Sequence, residues 1–170
     1  MSLNWIGLRC TAQLIDELKT SKPEAVHQVL LSFDLQDVDW PRLLVKIARD
    51  MPLALKTVMH FAPLSRAATP AKPENQINYS AIMHALAFSL SGRPELAVCL
   101  VDFIRGQQNV LTAYQLIEAA NIAAWMGEDT LRMTLEVIDN KNEILWFQIA
   151  QEIAVMGSAK LEIVSKAFHA

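Results

Sequence analysis

The chain has 170 residues, and a domain of about that length buries roughly 70% of the surface that its unfolded chain would expose. Its formal net charge is −3 and its 15 Lys and Arg residues are scattered, which argues against nucleic acid as a partner because phosphate binding needs clustered basic side chains. Hydrophobic residues make up 52% of the chain, so we expect a protein partner or a second copy to cover some apolar surface.

The sequence predicts neither export nor a membrane span. Residues 1–9 lack the basic start and the continuous apolar run of a signal peptide. The longest uncharged stretch, residues 76–92, falls short of the about 18–20 apolar residues that a spanning helix requires. Cys10 and Cys99 lie far apart among apolar neighbours, a setting typical of buried, reduced thiols. These features predict a cytoplasmic location.

Signals for helix starts recur along the chain, while the alternation typical of strands is nearly absent. Residues 21–24 have the form of a capping box, with Pro23 in the first turn, where its missing N–H costs nothing. Further helix starts are predicted at residues 39–41, 112–115 and 140–143, and at Pro52 and Pro94. We therefore expect an all-α protein.

Residues 62–78 break this pattern. They contain Pro63, Pro70 and Pro73 and show little apolar periodicity, a composition typical of extended loops. We interpret the chain as a single helical domain, residues 1–170, in which this loop separates two N-terminal helix pairs from three C-terminal pairs.

Three glycines occupy the same position in three similar segments of the chain, and we call this shared alignment the register. At ten and seven positions before each glycine, and at four and eleven positions after it, the residues are apolar. These offsets define one stripe on a first helix and one on a second, with glycine permitting the turn between them. The residues of this register are Ile82, Ala85, Leu96 and Phe103 around Gly92; Ile117, Ala120, Leu131 and Ile138 around Gly127; and Phe147, Ala150, Leu161 and Phe168 around Gly157. We expect Leu96, Leu131 and Leu161, which share one position of the register, to be buried between helices.

Residues 87–97, Ala-Phe-Ser-Leu-Ser-Gly-Arg-Pro-Glu-Leu-Ala, resemble the turn between the two helices of a tetratricopeptide unit. Ala85 matches the small-residue position of that family, Phe88 the aromatic position and Ala97 the small position of the second helix. More loosely, the chain resembles HEAT-like helical repeats. Both likenesses imply a short α-solenoid of about five stacked antiparallel helix pairs.

The tetratricopeptide resemblance also implies a partner-binding face on the first helices of successive pairs. Aromatic side chains and amides on such a face suit recognition of an extended or helical segment. The alternative is that Trp125 and the tyrosine rings pack between repeats. The predicted partner-binding residues are Tyr79, Tyr114, Asn121, Trp125 and Gln151, and the same positions in the register also include Leu86, Leu90, Ile144 and Val155.

No pattern in the sequence points to catalysis, a metal or a cofactor. None of the four histidines has the spacing of a metal site, and no glycine pair forms a loop that cradles phosphate. The Gly-x-Ser-x-Gly motif of a nucleophile elbow is absent from the sequence, and neither cysteine has a histidine near it in the chain. We expect His84 to be a hydrogen-bonded core residue.

The favoured interpretation is a non-enzymatic protein-protein interaction module, acting as an adaptor, a chaperone-like protein or an inhibitor. One alternative is a small all-α enzyme or ligand-binding protein with a pocket between helices. Its signature would be His27, His60 or His84 converging with a carboxylate in one cleft. A second alternative is a structural subunit of a larger assembly.

Overall fold

The computed structural model describes residues 5–33, 35, 38–62 and 77–170, and helices make up 81% of them, with no strand in these ranges. The predicted all-α class is confirmed. Most of the predicted loop at 62–78 lies outside the described residues. The helices are α1 (Trp5–Thr20), α2 (Val26–Leu31), α3 (Trp40–Asp50), α4 (Leu55–Phe61), α5 (Tyr79–Leu90), α6 (Ala97–Gln107), α7 (Ala113–Met126), α8 (Glu128–Glu136), α9 (Glu143–Ala154) and α10 (Ser158–His169).

Proline begins a short 3₁₀ turn directly before α2, α4 and α6. These turns span Pro23–Ala25, Pro52–Ala54 and Pro94–Leu96, as expected for a residue whose fixed φ suits the first helical turn. The predicted starts at all three prolines are confirmed. The capping box at residues 21–24 is wrong, because the Ser21 hydroxyl instead donates to the Glu17 carbonyl at the end of α1, at 2.7 Å.

Three other helix starts are capped where the sequence predicts. Thr112 and Gln115 form a reciprocal capping box at the start of α7. The Asn142 side chain accepts hydrogen bonds from two backbone N–H groups of α9, and Asp39 accepts one from the Arg42 backbone N–H of α3. These caps satisfy N–H groups that have no partner inside the helix.

Residue contacts divide the chain into two compact units, residues 1–85 and residues 86–170. In the first unit α1 packs on α2 and α3, and α4 packs on α2 and α3. The buried Thr11 hydroxyl joins α1 to the start of α3, because it donates to the Gly7 carbonyl at 2.8 Å and accepts from the Asp39 N–H at 2.9 Å. The core of this unit is aliphatic, with Leu14, Leu30 and Leu43 fully buried.

In the second unit the main contacts join α7 to α8 and α9 to α10, and helices that are two apart in the chain. Thus α7 packs on α8 and α9, α10 packs on α8 and α9, and α6 packs on α8 and α7. Small residues allow the close approach of α7 to its neighbours, since Ala119, Ala120, Ala123 and Ala124 are buried along it. No helix among the described residues is long and apolar enough to cross a membrane.

The turns of the second unit depend on glycine. Gly127 lies between α7 and α8 with φ of 139°, and Gly157 lies between α9 and α10 with φ of 114°. Side chains with a Cβ rarely adopt these values, so the two glycines act as the turn residues that the register predicts.

Of the three leucines predicted to be buried, Leu131 alone is confirmed. Leu131 is fully buried, and Phe103 and Ile138 are also buried, but Leu96 and Leu161 are only half-buried. Leu131 lies on α8, which packs on α6, α7 and α10. Leu161 lies on α10, whose main contacts are with α8 and α9. Burial at one register position thus depends on how many helices surround it.

The Gln108 side chain connects the end of α6 to the segment after α8. Its amide nitrogen donates to the Val137 carbonyl at 2.8 Å, and its amide oxygen accepts from the Asp139 N–H at 2.8 Å. This bidentate contact satisfies both backbone groups at once.

We expect Gln108→Ala to lower the free energy of unfolding by about 1–2 kcal/mol, because two backbone groups lose their partner. Urea denaturation of the purified variant measures this change. Gln107→Ala is the matched control, since the Gln107 side chain makes no hydrogen bond to another described residue, and its midpoint should stay near that of the parent. Equal midpoints for both variants would contradict the proposed role of Gln108.

Candidate functional site

The two aromatic residues predicted on α7 are exposed. Tyr114 is 73% exposed and Trp125 is 75% exposed, so these rings do not pack between helices. They lie eleven positions apart, which places them on one stripe of the helix about 16 Å from each other. Asn121, half-buried, occupies the same stripe between them.

A corresponding stripe runs along α9, which packs beside α7. Ile144 and Val155 are both exposed and, like the α7 pair, lie eleven positions apart. Gln148 and Gln151 lie between them and are also exposed. The opposite side of α9 holds the buried residues Trp146, Ile149 and Ile153. Each helix therefore presents apolar residues at both ends of its outward stripe and polar residues in the middle.

We call these two stripes the α7–α9 face. Its apolar members have large exposed side chains that no described residue covers. Single exposed apolar residues are common on protein surfaces, but several on one face are unusual. Its members are Tyr114, Glu118, Asn121 and Trp125 on α7, and Ile144, Gln148, Gln151 and Val155 on α9.

The predicted site residues on α5 behave differently. Tyr79, the first residue of α5, is half-buried, and burial raises the pKa of its hydroxyl. Leu86 and Leu90, which the resemblance places on the partner-binding face, are buried. The reason is that α5 is apolar on nearly every side, so the core takes side chains from more than one stripe.

Two further aromatic residues, Phe88 and Phe147, are exposed. The register places Phe147 on a packed stripe, but the ring is exposed beside the α7–α9 face, and its neighbour Trp146 is buried instead. Phe88, at the aromatic position of the tetratricopeptide resemblance, is also exposed. The sequence does not indicate which of two adjacent aromatic residues points into the core. Moving the predicted helical stripe by one position lets it include either residue.

The charges of α7 and α9 have one sign. Glu118 is the only charged residue of α7, and Glu143 and Glu152 are the only charged residues of α9. Glu118 lies within the α7–α9 face, and Glu152 follows Gln151 directly. The surface is therefore apolar with negative charge and contains no Lys or Arg.

Four of the six Lys and Arg side chains of the second unit have partners outside the α7–α9 face. Arg105, Arg132 and Lys166 each form an ion pair with a carboxylate of their own helix, and Lys141 donates to the Ala167 carbonyl at 2.7 Å. Within the described part of the chain, no ion pair neutralises Glu143 or Glu152. The negative charge beside the face is uncompensated.

Two of the histidines lie against one aromatic ring. His27 and His60 both contact the Phe61 ring, with centroid distances of 5.1 and 6.0 Å, and no group of His, Cys, Asp and Glu suited to a metal occurs among the residues described. His84 is exposed, so its assignment to the core is wrong. The reason is local, since its neighbours Met83 and Ala85 on α5 are buried and adjacent helical residues point in different directions.

Cys10 and Cys99 are both half-buried, and they form no disulfide with each other. Burial and the nearby Asp102 carboxylate raise the pKa of the Cys99 thiol, which favours its protonated, less reactive form. This fits a packing role for Cys99 and gives no indication of a nucleophile.

Comparison with models of protein families, with curated proteins and with solved structures gives no match to this chain.

Proposed function

We propose that this protein is a non-enzymatic protein-protein interaction module, an adaptor, chaperone-like protein or inhibitor, and that it binds its partner on the α7–α9 face. The observation that supports this most is the exposure of Tyr114 and Trp125 on one stripe of α7. Aromatic side chains dominate the binding energy of protein interfaces, and leaving two such rings in water is unfavourable unless a partner covers them.

The architecture that we propose is a short α-solenoid of stacked helix pairs. Support comes from the contacts in the second unit, where α7 packs on α8 and α9 packs on α10, while α7 also contacts α9 and α8 also contacts α10. In such a stack, the first helices of successive pairs present their outward stripes side by side. Tyr114, Asn121, Trp125 and Gln151 then form one surface, and Tyr79, the remaining predicted residue, lies in the first unit.

The polar residues of the face suit recognition rather than chemistry. The amides of Asn121, Gln148 and Gln151 can donate and accept hydrogen bonds. Such bonds orient a partner that is held by the apolar residues on either side of them. Cys10 and Cys99, which form no disulfide with each other, support a reducing compartment such as the cytoplasm.

The test begins with a partner isolated from an extract of the native host and then purified. We expect Tyr114→Ala and Trp125→Ala each to weaken its binding by about 2 kcal/mol, roughly 30-fold in Kd. Isothermal titration calorimetry on variants shown by circular dichroism to be folded measures the change.

Trp5→Ala is the matched control, because Trp5 is also strongly exposed (66%) but lies on α1 in the other unit. Its affinity should equal that of the parent. If Trp5→Ala abolishes binding while both α7 variants retain full affinity, the partner binds elsewhere and the proposed site is excluded.

A further inference from the structure

We infer that the partner at the α7–α9 face is a second copy of this chain, in a two-fold dimer in which each stripe packs antiparallel on its own counterpart. This inference rests on the proposed function and names the partner at the same face. It is carried by the order of residues along each stripe, by the scarcity of charge between the apolar residues and by the area that the exposed rings offer.

The stripe on α9 has the same order of apolar and polar residues in both directions. Ile144 and Val155 enclose Gln148 and Gln151, and the four residues occupy positions i, i+4, i+7 and i+11. Reversing the helix exchanges i with i+11 and i+4 with i+7, so the pattern is unchanged. A two-fold axis that crosses the helix at its midpoint therefore places Ile144 opposite Val155 of the second copy, and Gln148 opposite Gln151 of the second copy.

The stripe on α7 has the same spacing. Reversal places Tyr114 opposite Trp125 of the second copy, where the two aromatic rings can pack on each other. It places Glu118 opposite Asn121 of the second copy, whose amide can donate to the carboxylate. The dimer does not require a free Glu118, which already has an interaction within its own chain, because the group directly opposite it is neutral.

The polar middle of the face suits an identical partner. An amide carries both a donor and an acceptor, so Gln148 and Gln151 can bond to the same amides of a second copy. A Lys or Glu set against its own counterpart is repelled instead. The two stripes contain no Lys or Arg, and the other carboxylates of these helices, Glu143 and Glu152, lie off the stripes. A strongly charged partner would find few complementary charges here.

The exposed area of the face is of the size that a dimer needs. Tyr114 and Trp125 on the face and Phe147 beside it are each about two-thirds to three-quarters exposed, and an aromatic side chain has about 150–250 Å² to bury. The three rings thus leave on the order of 400 Å² in water, which is about half of the roughly 800 Å² that each partner buries in a stable interface. Ile144 and Val155 are also strongly exposed and add to this area.

Sedimentation equilibrium of the full chain at several concentrations measures the mass and the Kd of the dimer. We expect the parent to dimerise, and we expect Tyr114→Ala/Trp125→Ala, shown by circular dichroism to be folded, to raise the Kd at least about 30-fold. Trp5→Ala is the control, because it removes a strongly exposed ring from the other unit, and it should leave the Kd unchanged. Since dimerisation adds to apparent stability, unfolding of Trp125→Ala is compared with the parent at concentrations where both are monomeric.

Disulfide cross-linking tests the antiparallel alignment. Two cysteines can form a disulfide only if their Cα atoms lie within about 7 Å. In the proposed dimer Ile144 lies opposite Val155 of the second copy, but it lies about 16 Å along the helix from its own counterpart. A mixture of Ile144→Cys and Val155→Cys chains should therefore form a covalent dimer on mild oxidation, and neither variant should do so alone. The parent, which contains Cys10 and Cys99, gives the background.

The outcomes separate this inference from the proposed function. A parent that stays monomeric overturns the inference, and the proposed function stands if Tyr114→Ala and Trp125→Ala still weaken binding of the purified partner protein. A monomeric parent whose partner binds both variants with full affinity overturns both. A dimer that the double variant leaves intact uses another surface, which also overturns the inference. If the mixed cysteine chains give no more covalent dimer than either variant alone, the antiparallel dimer is wrong.

Discussion

Replacing Trp146 by alanine is expected to lower the free energy of unfolding by about 3–5 kcal/mol, the range for removing a large aromatic side chain from a packed core. Trp146 is only 2% exposed. Its ring packs against Phe168 of α10 with a centroid distance of 5.7 Å, and its indole N–H donates to the Asn140 carbonyl at 2.6 Å. The substitution removes the ring contact between α9 and α10 and leaves the Asn140 carbonyl without this donor.

Chemical denaturation followed by circular dichroism measures the loss. Trp125→Ala is the matched control, because it removes the same side chain from a position that is 75% exposed, and surface substitutions usually change stability by within about 0.5 kcal/mol. Trp146→Phe separates the two contributions, since it keeps an aromatic ring and removes the hydrogen-bond donor. If Trp125→Ala destabilises the protein as much as Trp146→Ala, the arrangement of α7 and α9 described above is wrong.

Leu131→Ala is expected to cost about 2–5 kcal/mol, because it leaves a cavity in the interior. Leu131 is 0% exposed and lies on α8, which packs on α6, α7 and α10. A site enclosed by several helices can collapse only partly around a missing side chain, and this places the expected cost towards the upper part of that range.

Leu161→Ala provides the comparison, because Leu161 occupies the same register position on α10 but is only half-buried. Its substitution removes less buried area, and we expect a cost below that of Leu131→Ala. Urea midpoints of the two variants measure the difference. A Leu131→Ala midpoint equal to that of the parent would refute the burial of α8 between its neighbours.

Much of the local structure follows from the sequence because its signals are short-range. The capping box of Thr112 and Gln115 and the side-chain cap of Asn142 use atoms within three residues of one another, so no tertiary contact is needed to predict them. The turns at Gly127 and Gly157 follow in the same way from the freedom of glycine to adopt positive φ.

The capping box at residues 21–24 shows the limit of this reasoning. The pattern is present, but the chain enters a 3₁₀ turn at Pro23, and Ser21 instead bonds back to the helix before it. The Ser21 hydroxyl can either cap the helix that follows it or bond back to the helix before it. The sequence allows both interactions.

The sequence by itself determined that this protein is helical, where most helices of the second unit begin and which residues of α7 lie on one stripe. Only the tertiary structure decided that Tyr114 and Trp125 face outward, that Leu86 and Leu90 are buried, and that Trp146 rather than Phe147 enters the core. The physical reason is that periodicity groups side chains onto one side of a helix, whereas burial depends on which neighbouring helices cover that side. Apolar core positions and apolar binding positions are made of the same residues, so the two can be told apart only once the packing is known.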